Sequence, residues 1–526
     1  MRFGTVAAVT SCIAAVPVWG QESPLPELFS DTIDVRVVNV EVVVTDRKGR
    51  RVRGLQAKDF ELLVDGEQMP IRYFTEIDDG RAKTPIDDRT GEVPTLTPDE
   101  PVGTNYLIFI DEVSAIRQNR NRILQHIEED LAALGPADRV ALVAFDGRGL
   151  TRITDWTGSP DEIEAALSRA RDRPALGLLN KFGLGWKTRR SVMAAAGTVR
   201  SFAEAPGRKV MLLLAAGWDT QVDLWNPRVL WVLGLTDASL ADLYGPLVHA
   251  ANLVGYSLYP IDIGGAGPAR PNDPRANHRE FGLTGLAAPW GGRPDEPEDP
   301  QRWRDVLRYL ADETGGLPMI SFLSNKALAE TSEDTRSYYW LGFEPPRAED
   351  DALRDIRVRV IDRPGLRLRS RRNYMDMSKS TEVTMLVEGA LLFGGAPGVT
   401  ALEVQFGSPE KAGLRKIAVP MEVRIPLKDL TMLPVGGQWM NELEFRVTVI
   451  DEYGDHSETP IDKIPIHGSR APSPGDIFVY ETDLVMRKRP HRYVAAIHDP
   501  LSGAILSASG EVGRATGTDT PNGDAK

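Results

Sequence analysis

Hydrophobic positions follow two different patterns along this chain, and each pattern predicts a different kind of structure. Between residues 33 and 46 apolar side chains occupy every second position, which places four valines on one face of a strand. Residues 60–74 add two more strands around Asp65-Gly66, a dipeptide typical of tight hairpins. Three strands within about fifty residues predict a small β unit that needs strands from elsewhere to be stable.

From residue 103 to residue 345 the pattern changes to continuous apolar runs that alternate with helical segments. The predicted strands are residues 106–111, 139–145, 209–217, 256–263 and 338–344, and the predicted helices are residues 119–134, 160–171, 190–204, 238–253 and 303–313. Continuous apolar runs indicate buried parallel strands, and this alternation favours a doubly wound sheet with helices on both faces. The predicted fold class is therefore α/β, doubly wound and Rossmann-like, flanked by all-β sandwich-like domains.

The same patterns predict the domain organisation. The expected order is an N-terminal β unit (residues 30–78), a linker rich in Asp, Pro and Thr (79–102), the α/β domain (103–345), strands that complete the N-terminal β unit (346–376), a C-terminal β-sandwich (380–510) and a disordered tail (511–526). The α/β domain would then be an insertion between the two halves of the β unit.

The first twenty residues have the pattern of a secretory signal peptide. A positive charge precedes an apolar stretch that is too short to span a bilayer, and Gly20 follows it. We therefore expect export and cleavage near residue 20. The only cysteine, Cys12, lies in this segment, so the mature chain would contain no thiol.

Charge and hydropathy restrict the partners. A formal net charge of −13 favours neither nucleic acid nor an anionic membrane. No later segment reaches the ~20 uninterrupted apolar residues of a membrane-spanning helix. The sequence therefore predicts an exported soluble protein.

The first buried strand, YLIFID, ends in the acidic pair Asp111-Glu112. Ligands of open α/β sheets bind at the carboxyl ends of the strands, so Asp111 is the first candidate for a site residue. The segment resembles a von Willebrand factor type A domain. Strands such as VRVVNVEVVVTDRKG before it and YYWLGF after it are similar to those of the bacterial VWFA-related secreted family, over about residues 30–376.

This resemblance implies a divalent cation, usually Mg²⁺, held by an Asp-x-Ser-x-Ser motif, a loop threonine and a second aspartate. Asp111 matches the first position, and Thr188 is a candidate for the threonine. The serine positions are occupied by Val113 and Ala115, with Ser114 one residue out of register. We therefore expect a degenerate site with no bound metal.

The second aspartate of the motif is also missing. Ala216 stands at its position, and only Asp219 lies nearby. Asp111, Ser114, Thr188 and Asp219 are thus vestigial metal ligands in this interpretation. Asp111 would instead cap the following helix or pair with an arginine.

Tryptophans form the second candidate site. Trp186, Trp218, Trp225 and Trp231 fall in segments expected at the same strand-end face, with Trp156 nearby. Grouped tryptophans suit contact with a protein partner, and the alternative is that they pack the loops onto the sheet.

Sequence signals for an enzyme are weak, because no zinc-protease helix, nucleophile elbow or phosphate-binding loop is present. The acidic segment 451–458 lacks the calcium-loop pattern and is interpreted as a hairpin turn. Three hypotheses follow: a non-enzymatic binding or scaffold protein with an unidentified protein partner and no cofactor, a Mg²⁺-dependent adhesion protein, or a secreted hydrolase.

Overall fold

The structure, a computed structural model, describes residues 37–83, 99–113, 115–175, 184–203, 205, 207–216, 218, 240–263, 302–319, 326–345, 350–393, 397–398, 400–454 and 456–513. The chain divides into two compact units, one formed by Val35–Met377 and one that includes Ser378–Lys526.

The first unit contains helices and strands. Its helices are α1 (Arg117–Glu129), α2 (Pro160–Asp172), α3 (Leu184–Ser201), α4 (Leu240–Val254), α5 (Arg302–Thr314) and α6 (Ala327–Thr335), with 3-10 helices at Ala57–Asp59 and Leu131–Ala133. Its strands are β1 (Val38–Thr45), β2 (Phe60–Val64), β3 (Glu67–Met69), β4 (Tyr73–Asp78), β5 (Arg81–Ala82), β6 (Thr104–Asp111), β7 (Arg139–Phe145), β8 (Leu150–Thr157), β9 (Arg208–Ala215), β10 (Tyr256–Asp262), β11 (Tyr338–Phe343), β12 (Leu353–Val360), β13 (Arg367–Arg369) and β14 (Asn373–Met375).

A five-stranded mixed sheet positions the acidic pair. Its order is β10-β9-β6-β7-β8, with β8 antiparallel and the other neighbours parallel. Every residue of β6 is buried, as expected for a strand covered on both faces. One face packs against α1, α2 and α6 through a continuous apolar core. Ser159 caps α2 by accepting a hydrogen bond from the Glu162 amide, 3.4 Å away.

Two antiparallel sheets make up the β part of the first unit. Their orders are β13-β1-β11-β4-β5 and β14-β12-β2-β3. Their shared core contains the alternating valines of β1 together with Phe60, Leu341 and Phe343. The hairpin between β2 and β3 turns at Asp65 and Gly66, whose φ angles of 50° and 88° suit the aspartate-glycine pair.

The prediction of a doubly wound α/β fold is wrong. Strands contain 43% of the described residues and helices 26%, so the protein is mostly β. Strand β11, expected to close the α/β series, instead pairs antiparallel with β1 and β4. It is buried on both faces, and such a strand gives the same continuous apolar signal as a parallel one.

The second unit is built mainly of strands. Its elements are α7 (Lys379–Phe393), a 3-10 helix at Leu427–Asp429, and β15 (Thr400–Ala401), β16 (Glu403–Phe406), β17 (Glu410–Lys411), β18 (Lys416–Pro426), β19 (Leu433–Val435), β20 (Gln438–Asp451), β21 (Ile461–Gly468), β22 (Ile477–Arg487), β23 (His491–His498) and β24 (Ile505–Val512). They form one sheet of order β15-β24-β23-β20-β19, with β21 also paired to β20, and one of order β16-β18-β17, with β22 also paired to β18. A single apolar core contains residues of both sheets.

Helix α7 is a departure from the β-sandwich predicted for residues 380–510. Val383, Val387 and Leu391 recur at helical spacing and pack against β20 and β23. Val383, Met385 and Val387 also recur at every second position, so the sequence satisfies both periods. Its β-branched residues favoured the strand interpretation.

Candidate functional site

The Asp111 carboxylate lies at the carboxyl end of β6 and has 1% exposure. Its Oδ1 accepts a hydrogen bond from the Val113 amide, 3.0 Å away. Its Oδ2 accepts a hydrogen bond from the indole Nε1 of Trp218, 2.8 Å away. Both carboxylate oxygens therefore face N–H donors within the protein.

Trp218 follows β9, the strand after which the resemblance implies an aspartate. Ala216 and Trp218 are both buried, and the indole stacks on the Tyr244 ring of α4 with centroids 5.7 Å apart. The indole therefore packs against the strand ends and cannot serve as an exposed platform for a partner. For Trp218, the packing interpretation of the tryptophans is the correct one.

Burial changes the protonation of Asp111. Removal from water raises the pKa of its carboxyl to about 6, although the Trp218 and Val113 hydrogen bonds and the nearby Ser191 hydroxyl act in the opposite direction. Ser191 makes no hydrogen bond of ordinary geometry, so Trp218 and Val113 are the donors that hold the carboxylate.

Helix α3 brings Thr188 and Ser191 into the interior, one turn apart. Among the described contacts, Thr188 makes no hydrogen bond to Asp111, whereas Ser191 is close enough to affect the Asp111 pKa. The sequence does not single out Ser191 as a site residue. Its position three residues after Thr188, on the same helix face, was the available signal.

Arginines pair with Glu112, not with Asp111. The Glu112 carboxylate accepts two hydrogen bonds from Arg173, at 2.7 Å and 3.0 Å, and lies 3.7 Å from the guanidinium of Arg120. Arg120 is fully buried and donates to the carbonyls of Arg171, Arg173 and Pro174 at the end of α2. The prediction that Asp111 pairs with an arginine or caps the following helix is therefore wrong, because the arginines pair with Glu112 and α1 has no side-chain cap.

The residues described around Asp111 do not suit a divalent cation. A cation needs oxygen ligands, but the amide of Val113 and the indole of Trp218 direct hydrogens at both Asp111 oxygens. Within the described ranges, no three His, Cys, Asp or Glu side chains are grouped closely enough to hold a metal. Ser114 and Asp219, the other vestigial ligands, lie outside the described residues.

The remaining tryptophans are only partly described. Trp225 and Trp231 lie outside the described residues, and Trp186 belongs to α3, where only its backbone is described. Trp156 lies on β8 and packs edge-on against Phe202, with ring centroids 5.5 Å apart. The structure thus brings Asp111 and Trp218 together.

The first carboxylate of the acidic segment 451–458 is bound by other groups of the protein. Asp451 accepts a hydrogen bond from the Tyr453 amide and pairs with Arg487 and Arg489, at 3.4 Å and 3.1 Å. Two arginines therefore neutralise the carboxylate that a calcium ion would need first.

Comparisons with known proteins give only weak similarities. No family model and no curated protein matches the chain. A point mutant of the PilB minor pilin from Streptococcus sanguinis is 9% identical over 56% of this chain and 87% of its own, with a TM-score of 0.25.

Two further solved structures are similarly distant. A β-glucuronidase from Bacteroides uniformis is 10% identical over 35% of this chain and 20% of its own, with a TM-score of 0.16. The TFIIH p34 N-terminal domain is 13% identical over 34% of this chain and 95% of its own, with a TM-score of 0.20. Separately, none of the helices within the described ranges is long and apolar enough to cross a membrane.

Proposed function

We propose that this protein is an exported, non-enzymatic binding or scaffold protein related to the bacterial VWFA-related secreted family. Its partner would be a protein, held without a metal ion. The export signal, the order of strands around the segment that begins at β6, and the substitutions in the metal motif support this proposal.

The observation that carries the proposal is the hydrogen bond from Trp218 to Asp111. A metal-dependent adhesion site needs an aspartate oxygen directed at the cation and an open position for a partner carboxylate. Here the indole N–H lies 2.8 Å from Oδ2, and the whole pair is buried. A cation would have to displace a packed tryptophan, so the Mg²⁺-dependent alternative is disfavoured.

The hydrogen bonds and ion pairs that hold both acidic residues also support a non-enzymatic role. Asp111 accepts hydrogen bonds from Trp218 and Val113, and Glu112 is held by Arg173 and Arg120. Neither carboxylate faces an open position where it could exchange a proton with a substrate. Trp186, Trp225 and Trp231 remain the proposed contact residues.

Calorimetric titration of the secreted protein with MgCl₂, MnCl₂ and CaCl₂ tests the absence of a metal. We expect no saturable heat from the wild type, from Asp111→Asn or from the exposed control Asp161→Asn. If the wild type and Asp161→Asn bind a metal saturably and Asp111→Asn does not, the metal-dependent alternative is established instead.

The binding and non-enzymatic parts of the proposal need separate tests. Immobilised secreted protein should retain its partner from the cell-surface fraction equally well with and without EDTA, because the contact needs no cation. Loss of the partner in EDTA would contradict this. Turnover in an esterase and glycosidase panel, abolished by a single substitution in this chain, would show that the protein is a hydrolase.

A further inference from the structure

Strands β12 and β14 pair over only a few residues, and beyond these the two chain segments separate. They pair antiparallel over residues 353–355 and 373–375, and the Ile356 amide donates to the Arg372 carbonyl at 2.7 Å. Beyond this point β12 continues beside β2, whereas β13 pairs with β1 in the other sheet. The two arms of the hairpin, β12 and the segment that contains β13, therefore separate. Each arm has one edge turned away from its own sheet.

A groove of about 660 Å³ lies between the separated arms. One wall contains Arg357 to Arg359 of β12, the other contains Leu368 to Ser370, and Asp312 and Glu313 of α5 also line it. This volume is within the range of ligand-binding clefts. All of its lining residues belong to the first compact unit.

The backbone of β12 offers unused hydrogen-bonding groups to this groove. The Asp355 carbonyl accepts from the Asp65 amide and the Ile361 amide donates to the Asp59 carbonyl, so odd-numbered residues face β2. Because backbone groups alternate in direction along a strand, Val358 and Val360 face the open side. No strand pairs with that side among the residues the structure describes.

The groove lies in a basic segment of an acidic protein. Residues 353–372 contain eight arginines and two aspartates, a net charge of +6, whereas the whole chain has a net charge of −13. The groove lining itself contains four of these arginines and three acidic residues, Asp312, Glu313 and Asp355, a net charge of +1. The side chains of Arg357, Arg359 and Arg372 are 66%, 64% and 58% exposed. Arg357 and Arg359 pair with Asp355 and Glu61. Ion pairs this exposed contribute about 0–1 kcal/mol, so an incoming anion can replace them at little cost.

We propose that this groove binds an extended acidic peptide segment of a partner protein, which adds as a strand to the free edge of β12. Among the described residues nothing pairs with the amides and carbonyls of Val358 and Val360, and an extended peptide would satisfy them by strand addition. Arg357 and Arg359 lie on one face of the strand, two residues apart. Residues opposite them in the added strand would be Asp or Glu, since opposite charges across a strand pair stabilise by about 0.2–1 kcal/mol each.

This proposal identifies a partner class for the proposed binding function, but at a surface that does not involve Asp111. The experiment uses the full secreted chain and a fluorescein-labelled peptide, Thr-Glu repeated four times, with binding followed by anisotropy. Comparison peptides are a Thr-Lys repeat and a Thr-Glu repeat N-methylated at alternate amides. N-methylation preserves the charge and prevents addition to a strand edge.

We expect saturable binding of the Thr-Glu peptide and at least tenfold weaker binding of both comparison peptides. The double variant Arg357→Glu/Arg359→Glu should weaken binding at least tenfold. The control Lys411→Glu/Arg492→Glu, which makes a similar change in net charge at exposed positions of the second unit, should bind within twofold of wild type. Asp111→Asn should also bind normally, which separates this result from the outcome at the acidic pair.

Other results would overturn the proposal. Equal binding of the N-methylated peptide would show attraction by charge alone, without strand addition. A single-stranded oligonucleotide or inorganic phosphate that binds in place of the peptide would assign the groove to phosphate. If sedimentation velocity shows self-association and Arg357→Glu/Arg359→Glu abolishes it, the groove binds a second copy of the chain. If the Thr-Glu peptide does not bind at millimolar concentration, the proposal is excluded.

Discussion

The indole N–H of Trp218 donates a hydrogen bond to the Asp111 carboxylate at the carboxyl end of β6. The two groups are joined by a 2.8 Å hydrogen bond and are both buried. A neutral donor here satisfies one carboxylate oxygen without any need for further oxygen ligands.

Replacement of Trp218 by Phe tests how much this hydrogen bond stabilises the first unit. Phe keeps the stacking on Tyr244 but leaves Oδ2 of Asp111 buried without its donor. We expect a loss of about 1–3 kcal/mol in the free energy of unfolding, measured by urea denaturation with circular dichroism. The control is Trp156→Phe, which removes an indole from a partly exposed position. An equal loss in both variants would show that the hydrogen bond contributes nothing specific.

The buried Asp111 carboxyl predicts a pH dependence of stability. Burial raises its pKa from 3.8 to about 6, so the folded chain holds this proton more tightly than the unfolded chain. The resulting stability is complete below about pH 3.8 and is lost as the pH rises through 6. This loss amounts to about 3 kcal/mol.

Urea denaturation of the wild type and Asp111→Asn between pH 3.5 and 7.5 measures this effect. Asn does not titrate, so the stability of the wild type relative to the variant should fall across this window. A difference between the two proteins that stays constant with pH would contradict the prediction.

Much of the local structure around Asp111 could be predicted from the sequence. The apolar runs of β6, β7 and β10 and the capped start of α2 have unambiguous patterns, and the structure confirms them. Strand β11 could not be assigned, because its two-sided burial has the pattern of a parallel strand. Its pairing with β1 and β4 depends on residues distant in sequence.

The candidate site could likewise be predicted from the sequence only in part. Asp111 could be identified because it ends a buried strand, whereas the degenerate metal motif stays a prediction that follows from the resemblance. The role of Trp218 could not be predicted, because tryptophan suits both an exposed contact surface and a packed interior. Only its stacking on Tyr244 and its contact with Asp111 distinguish the two.

Glu112 gives a third prediction. Glu112→Gln would leave the fully buried Arg120 without its carboxylate and would replace one of the two acceptors of Arg173 by an NH₂ donor. We expect a loss of about 3–5 kcal/mol in unfolding free energy, as for other broken buried ion pairs. Glu128→Gln is the matched control, because its pair with Arg171 is partly exposed and should contribute about 1 kcal/mol or less. Similar losses in the two variants would exclude a structural role for the Glu112 pair.

The second unit contains a buried charge cluster whose acid sensitivity can be tested. Glu444 accepts hydrogen bonds from Arg446, Ser380 and His498 at 2.7 Å, 2.9 Å and 2.9 Å. Burial alone would raise the pKa of Glu444, but the hydrogen bonds from these three residues lower it to about 2. The stability from this carboxylate is therefore present above about pH 4.5 and is lost as the pH falls towards 2.

Glu444→Gln should therefore destabilise the second unit near neutral pH by up to about 3 kcal/mol and much less near pH 2. Hydrogen exchange of β20 and α7 at pH 7, together with acid unfolding between pH 2 and pH 6, measures both effects. Glu442→Gln is the matched control, since Glu442 lies two residues away on the same strand and its pair with Lys463 is 40% exposed at the carboxylate. Equal acid unfolding curves for the wild type and Glu444→Gln would show that this carboxylate does not link protonation to folding, whatever the cost of the substitution at neutral pH.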